Sequence, residues 1–199
     1  MATLRAAAES TTVIRAATPD DAEALVRVVL MAGDGLPVLY WSAIAAPGED
    51  PIAAGLARVR SGQGAFSYHN AFVADRDGRT VGGLVGYPIV DGEGDLDGFP
   101  PPIRPLIALE AKAVGRWYVN IIAVDPEARR TGVASRLLAE ADLRAKVAGT
   151  AGLCLSVADS NHAARRLYEA AGYRDFAFEP MVKEGWDHPG SAWILMVKD

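Results

Sequence analysis

The chain switches repeatedly between two hydrophobic periodicities, and the switches mark out its elements. TVIRAA (12–17) alternates over too short a span for a helix and predicts a strand. From Ala22 onward, Leu25, Val26, Val29 and Leu30 share one helical face. Thr18-Pro19-Asp20-Asp21 starts that helix with a capping hydroxyl, a proline suited to the first turn, and Asp21 near the positive end. Gly33 and Gly35 stop it. PVLYWSAIAA (37–46) predicts a second helix, broken by PGED, and Asp50-Pro51 opens a third that reaches about Arg60. NAFVAD (70–75) and TVGGLVGYPI (80–89), joined across Asp77-Gly78, predict a hairpin, with Gly82 and Gly83 marking a bulge. A loop rich in Gly, Asp and Pro follows (91–105), long for a compact domain. LIALEAKA (106–113) reads as a helix. Then come strand 117–124, helix 131–147, strand 153–157, helix 161–171, and strands near 173–182 and 191–197. Strand–helix–strand with short links implies a parallel pair joined by a crossover.

The run WYVNIIAV (117–124) is apolar on both alternating faces, as for a strand buried in mid-sheet. Strict alternation places Trp117, Val119, Ile121 and Ala123 on one face and Tyr118, Asn120, Ile122 and Val124 on the other. Tyr118 and Asn120 are the polar exceptions, placed to line a cleft. The strand stops at Asp125-Pro126, and a short turn with Arg129, Arg130, Thr131 and Gly132 feeds a helix that buries Val133, Leu137, Leu138 and Ala141. The first N–H groups of a helix have no partners within it and, with the helix dipole, attract anions. Gly132 and Ala134 keep bulk away and two arginines add charge, so the turn reads as a phosphate cradle. It matches neither the dinucleotide fingerprint nor the Walker loop. A glycine that merely permits close strand–helix packing is the plainer alternative.

Composition narrows the field. Half of the 199 residues are apolar and 23% are charged, as in an ordinary globular protein. One domain is expected over 12–199, with 1–11 as a flexible tail. The net charge of -5 argues against a nucleic-acid surface. No apolar run is long enough to span a membrane, no signal peptide is apparent, and the single cysteine, Cys154, fits a reducing compartment; a cytoplasmic protein is expected. Cys154 lies between Leu153 and Leu155 and reads as a small buried hydrophobe, not a nucleophile.

Two segments at fixed spacing, WYVNIIAVDPEARRTGVASRLL and NHAARRLYEAAGY (161–173), resemble the GCN5-related N-acetyltransferase (GNAT) superfamily. The family's Q/R-x-x-G-x-G/A motif is met at Arg129, Gly132 and Ala134, in the alanine variant. The flanking elements follow in family order, so the resemblance spans about residues 12–197. It implies an α/β (α+β) fold: a mixed, mostly antiparallel sheet of about seven strands, with a splayed central parallel pair, flanked by helices. It implies an acetyl-CoA-dependent N-acetyltransferase acting on a primary amine, small molecule or peptide, by direct attack in a ternary complex, with no metal. Arg129, Arg130, Thr131, Gly132, Val133, Ala134 and Ser135 would hold the pyrophosphate. Ile122, Ala123 and Val124 would hold the pantetheine arm and, nearby, a donor for the thioester oxygen, where negative charge grows during attack. Asn161 would contact the same arm, or simply cap its helix. Tyr168 would give a proton to the leaving thiolate; the alternative is a core tyrosine.

The base is not given by the resemblance. Tyr118 and Asn120 face the substrate but are poor bases, and Glu110, just upstream, is the preferred carboxylate. His69, His162 and His188 are weaker candidates, with His188 bordering the acceptor site. The acceptor site is expected between residues ~20–60 and 91–116, where loops vary and carry function, with Tyr40, Trp41, Phe66 and Tyr68, acids Glu49 and Asp50, and the acidic run Asp91, Glu93, Asp95 and Asp97. A non-catalytic coenzyme A-binding module is the main alternative; a dinucleotide-binding fold is disfavoured by the lone glycine and the two-strand ending. Homodimers are common in the superfamily, and nothing in the sequence decides that point.

Overall fold

The computed structural model describes residues 11–92 and 96–199; residues 1–10 of the expected tail, and Glu93 and Asp95 of the acidic run, lie outside them. In chain order the elements are β1 (Thr12–Ala16), α1 (Ala22–Ala32), α2 (Leu36–Ile44), α3 (Pro51–Arg60), β2 (Ala71–Arg76), β3 (Arg79–Pro88) and α4 (Arg104–Ala111). There follow β4 (Trp117–Val124), α5 (Val133–Val147), β5 (Leu153–Ala158), α6 (His162–Ala170), β6 (Arg174–Pro180) and β7 (Ala192–Lys198). The strands form one sheet in the order β1-β2-β3-β4-β5-β7-β6. All neighbours are antiparallel except β4 and β5. This is the GNAT-type mixed sheet expected from the two motif segments.

Local chemistry accounts for most boundaries. Asp50 caps α3 by accepting from the Ile52 N–H at 3.0 Å, and Pro51 occupies its first turn. Asp21 is buried: it accepts from the Thr18 N–H at 2.8 Å and pairs with Arg15. Between Thr18 and α1 the chain makes one 3-10 turn, so the first helix starts at Ala22. The helix expected from 131 begins at Val133, because Arg130 (φ 62°) and Gly132 (φ 82°) are both left-handed and cannot continue a helix. In the hairpin the unpaired residue is Val81, beside Gly82: Ala74 pairs with Gly82 and Asp75 with Thr80. Gly82 instead serves close approach, since a Cβ there would lie 2.8 Å from the Ala123 carbonyl oxygen on β4.

The expected alternation along β4 is corrected at Asn120. Val119 pairs with Gly86 and Ile121 with Val85, so Asn120 is an extra residue with no partner on β3. A bulge shifts the phase by one residue. Trp117, Val119, Ile122 and Val124 therefore pack together against α5, while Ile121 and Ala123 pack against α1 on the other side. The parallel pairing with β5 stops at the same place. It covers only Trp117–Leu153, Tyr118–Cys154 and Val119–Leu155, and beyond Val119 the two strands separate. Leu137, Leu138 and Ala141 of α5 close one face of the sheet; Leu25, Val28 and Val29 of α1 close the other. A third cluster around Leu109 of α4 includes Tyr118, Cys154 and Leu195.

Candidate active site

The opening between β4 and β5 is a cleft of about 570 Å³. Its walls are Ile122, Ala123 and Val124 on β4, Leu155, Ser156, Val157 and Ala158 on β5, and Asn161, Leu167 and Tyr168 on α6. Its floor is the turn after β4: Arg129, Arg130, Gly132, Val133, Ala134 and Ser135 all border it. No side chain caps α5, and the first backbone bond in this turn runs from the Arg136 N–H to the Gly132 carbonyl at 3.1 Å. A Cβ at Gly132 would meet nothing within 4 Å, so this position faces open space. The result is a helix N-terminus presented uncapped to a cleft, the electrostatic condition for binding a phosphate.

The side chains of two residues of the turn are used to hold it in place. Thr131 does not border the cleft: its hydroxyl donates to the Ala128 carbonyl at 2.7 Å and accepts from Arg76 at 3.1 Å, bracing the turn from behind. Arg129 borders the cleft but spends its Nε–H on the Val124 carbonyl at 3.1 Å, tying the turn to the strand end. Arg130 is the exposed arginine with no such tether.

Asn161 caps α6 by accepting from the Ala164 N–H at 3.1 Å and also borders the cleft, so the two readings of it are compatible. Tyr168 is buried among the core residues under α5, with burial pushing its phenol up to about 12. Its ring lines the cleft. A buried phenol keeps its proton at neutral pH and can donate it.

A second cavity, of about 390 Å³, adjoins the cleft. Asn120, Ser156 and Trp193 border both, so the two meet where β4 and β5 part. Its walls come from α2, α3 and the loop after it, α4 and the segment before α4, and include Tyr40, Trp41, Phe66 and Glu110 among the residues anticipated from sequence. Tyr118 is buried and lines this cavity, not the cleft; loss of water raises its phenol far above the ordinary range. Tyr68 does not reach the cavity and stacks on His69 with centroids 4.1 Å apart. Glu49 and Asp50 are used in local turns, Asp97 pairs with Arg104, and Asp91 lines the cavity.

Glu110 is one of the two carboxylates that line this cavity among the described residues. Burial raises its carboxyl above the usual range, and a hydrogen bond from Tyr87 partly offsets that. Asn120 donates from Nδ2 to the Tyr87 hydroxyl at 3.1 Å, so Asn120, Tyr87 and Glu110 form a connected polar line from the strand junction into the cavity. Tyr87, Ser156 and Trp193 were not singled out in the sequence. Their signal was present as polar or bulky interruptions in apolar strands, but nothing local shows that the three positions converge. Histidine lines neither cavity among the described residues. His188 is buried against Trp186 and Trp193, with Nε2 3.4 Å from Asp34, and holds the β6–β7 loop in place. Cys154 is buried and its thiol is pushed up to about 12 by burial, which removes it as a nucleophile.

Comparison with known proteins decides the family. The family model described as an acetyltransferase (GNAT) domain matches residues 67–175, from before β2 to the start of β6. The chain belongs to the GNAT acetyltransferase family. No curated protein matches the sequence. Among solved structures, a crystal structure of an acetyltransferase aligns over 94% of this chain and 98% of its own, with 24% identity and a TM-score of 0.64. An N-acetyltransferase from Staphylococcus aureus Mu50 aligns over 93% and 99%, with 18% identity and a TM-score of 0.67. The ribosomal-protein-S18-alanine N-acetyltransferase from Escherichia coli aligns over 94% and 93%, with 20% identity and a TM-score of 0.57. At these identities the likeness establishes the fold. The GNAT match covers the cleft, its basic turn and α6, whereas α1 to α3 lie outside the matched residues. Among the described residues no helix is long and apolar enough to cross a membrane.

Proposed function

We propose that this GNAT protein transfers the acetyl group of acetyl-CoA to a primary amine of a small molecule or peptide, by direct attack in a ternary complex. The observation that carries this is the junction of two cavities where β4 and β5 part. One offers an uncapped helix N-terminus with arginines; the other offers a half-buried carboxylate. Acetyl-CoA, as second substrate, supplies an activated thioester. Arg130, Gly132 to Ser135 and the edge of β4 from Ile122 to Val124 hold it, with Asn161 opposite.

In the overall reaction an ammonium and a thioester become an amide, a thiol and one released proton. Glu110 takes the first proton of the ammonium, through the Tyr87–Asn120 side of the cavity, and returns it to water. The amine nitrogen bonds to the acetyl carbon as the carbon–sulfur bond breaks. Tyr168 gives its proton to the departing sulfur and regains one from the amide nitrogen. The backbone of β4 beyond Val119, unpaired toward β5, provides N–H donors for the developing oxyanion.

The test is thiol release from acetyl-CoA with purified protein and a panel of amines, run beside Tyr168→Phe. Turnover with one acceptor class, reduced about 100-fold in kcat by the substitution, supports the assignment. Binding of acetyl-CoA with no turnover across the panel would favour a coenzyme A-binding module. The second cavity and its carboxylate speak against that alternative, since such a module has no need of them.

A further inference from the structure

Among the described residues the acceptor cavity holds one cation, Arg58 of α3, and its surroundings are specific. Gly55 lets α3 lie flat on α2: a Cβ there would sit 2.5 Å from the ring of Trp41. Arg58, three residues on, shares that helical face and turns toward α2. Its guanidinium carbon lies 5.4 Å from the centroid of the Tyr40 ring, and that ring stacks on Phe99 at 5.8 Å. On the other side stands Gly64, left-handed at φ 74°: a Cβ there would come 3.1 Å from the Arg58 Nη2. Asn70 pins this loop by donating to the Gly64 carbonyl at 3.2 Å. The guanidinium therefore sits in a slot between an aromatic ring and a bare backbone.

Among the described residues nothing answers its charge within that slot, where the side chain is half-buried. Nε is buried and makes no hydrogen bond, and among the described residues no carboxylate pairs with Arg58. A guanidinium carries five donors and no acceptor, and withdrawing it from water without an anion is costly. Among the described residues, the two carboxylates that line the same cavity belong to a different wall: Glu110 on α4 beside Tyr87, and Asp91 in the segment leaving β3, where the following Gly92 abuts Ala111 and Val114. The rest of the lining is mainly apolar and aromatic. Such a chamber, with few polar groups and opposite charges on different walls, specifies orientation as well as size.

The geometry points to an acceptor that is a compact, largely apolar amine bearing a carboxylate, whose carboxylate is bound by Arg58 while its amine faces Glu110. This rests on the acetyl-transfer reading and narrows its substrate class to amino acids of the α or ω type. Arg58 is then the specificity-determining residue, through the paired hydrogen bonds that a guanidinium makes to a carboxylate. A polyamine would place a second cation against it.

The experiment uses matched pairs that differ by the carboxylate: phenylalanine and 2-phenylethylamine, leucine and 3-methylbutylamine, 5-aminopentanoate and butylamine, with spermidine as a polycation. Thiol release and calorimetric binding are measured for wild type, Arg58→Gln and Arg58→Lys, after their melting curves establish folding. The expected result is that the carboxylate-bearing member of a pair is preferred in kcat/KM. Arg58→Gln lowers that value about 10- to 100-fold, mostly through KM, leaves the decarboxylated partner unchanged within about twofold, and is partly rescued in Arg58→Lys. The α and ω pairs decide between the two amino-acid types. Preference for the decarboxylated amines or spermidine, or an equal effect of Arg58→Gln on both members, overturns the inference while acetyl transfer stands. Carboxylate-dependent binding lost in Arg58→Gln, with no thiol release, supports the Arg58 site and sinks acetyl transfer. Binding of no pair member overturns the Arg58 site.

Discussion

At Tyr168 and Glu110 the same cause, loss of water, would serve two different chemistries in the proposed reaction. Raising a phenol to about 12 keeps its proton in place at neutral pH, as the proposed proton donor requires. Raising a carboxyl makes it a better proton acceptor near neutral pH. For Glu110 there is a cost in stability. Its folded form holds a proton to higher pH than its unfolded form, so stability falls as pH rises through the window between the two and stays lowered above it. Glu110→Gln removes that penalty. The expected outcome is a melting temperature above wild type at neutral pH, with the difference vanishing below the ordinary carboxylate range, and kcat/KM lowered at neutral pH. Thermal melts across pH beside rate measurements check it, and an unchanged kcat/KM would remove Glu110 as the base. Glu110 was legible as a carboxylate upstream of the strand. Its link to Asn120 through Tyr87 was not, because Tyr87 and Asn120 are 33 residues apart and meet only across the β3–β4 ladder.

At the scale of elements, the turn from β4 to α5 was the most readable part of the chain. Its conformation is dictated locally: Gly132 takes a left-handed φ of 82° and starts the helix without a capping side chain. Gly132→Ala places a Cβ in open space and in an unfavourable backbone region, at a cost of about 1–2 kcal/mol. The protein is expected to stay folded. Gly132→Glu adds a negative charge where a phosphate would sit and is expected to weaken acetyl-CoA binding more than tenfold, against a much smaller effect of the alanine. Calorimetry on both variants checks this, and equal affinities would remove the cradle. Gly86 poses the opposite case, since a Cβ there would fall 2.1 Å from the Trp117 ring. Gly86→Ala is expected to destabilise the protein measurably by forcing apart β3 and β4 next to the bulge, with a lowered melting temperature as the readout.

Across the whole molecule, the cleft exists because two strands that start as neighbours stop pairing after three residue pairs. The β4 backbone beyond that point is held by β3 on one side and left open on the other. Acetyl-CoA binding is therefore expected to protect amides in 120–124 and 130–135 from hydrogen exchange, with little change in β1, β2 and α3. Protection spread evenly over the sheet would instead indicate global stabilisation, as any ligand of the folded state produces. Helices α2 and α3, outside the family match, supply Tyr40, Trp41 and Arg58 to the second cavity, so in the proposed reaction they would shape the acceptor site.

The sequence by itself determined the order of elements, the parallel crossover, the phosphate-type turn and the family resemblance. These follow from periodicity, capping residues and glycine positions, all of which act within a few residues of the chain. The tertiary structure decided where β4 and β5 part, which way each residue of β4 faces, and which charges share a cavity. Strict alternation put Ile121 with Trp117 and Val119; the bulge at Asn120, created by pairing with β3, moved it to the opposite side. Arg58 read as one basic residue in a helix that ends Arg-Val-Arg. Its place between Tyr40 and Gly64, and its buried, unpaired nitrogen, come from contacts between elements, which no local pattern encodes.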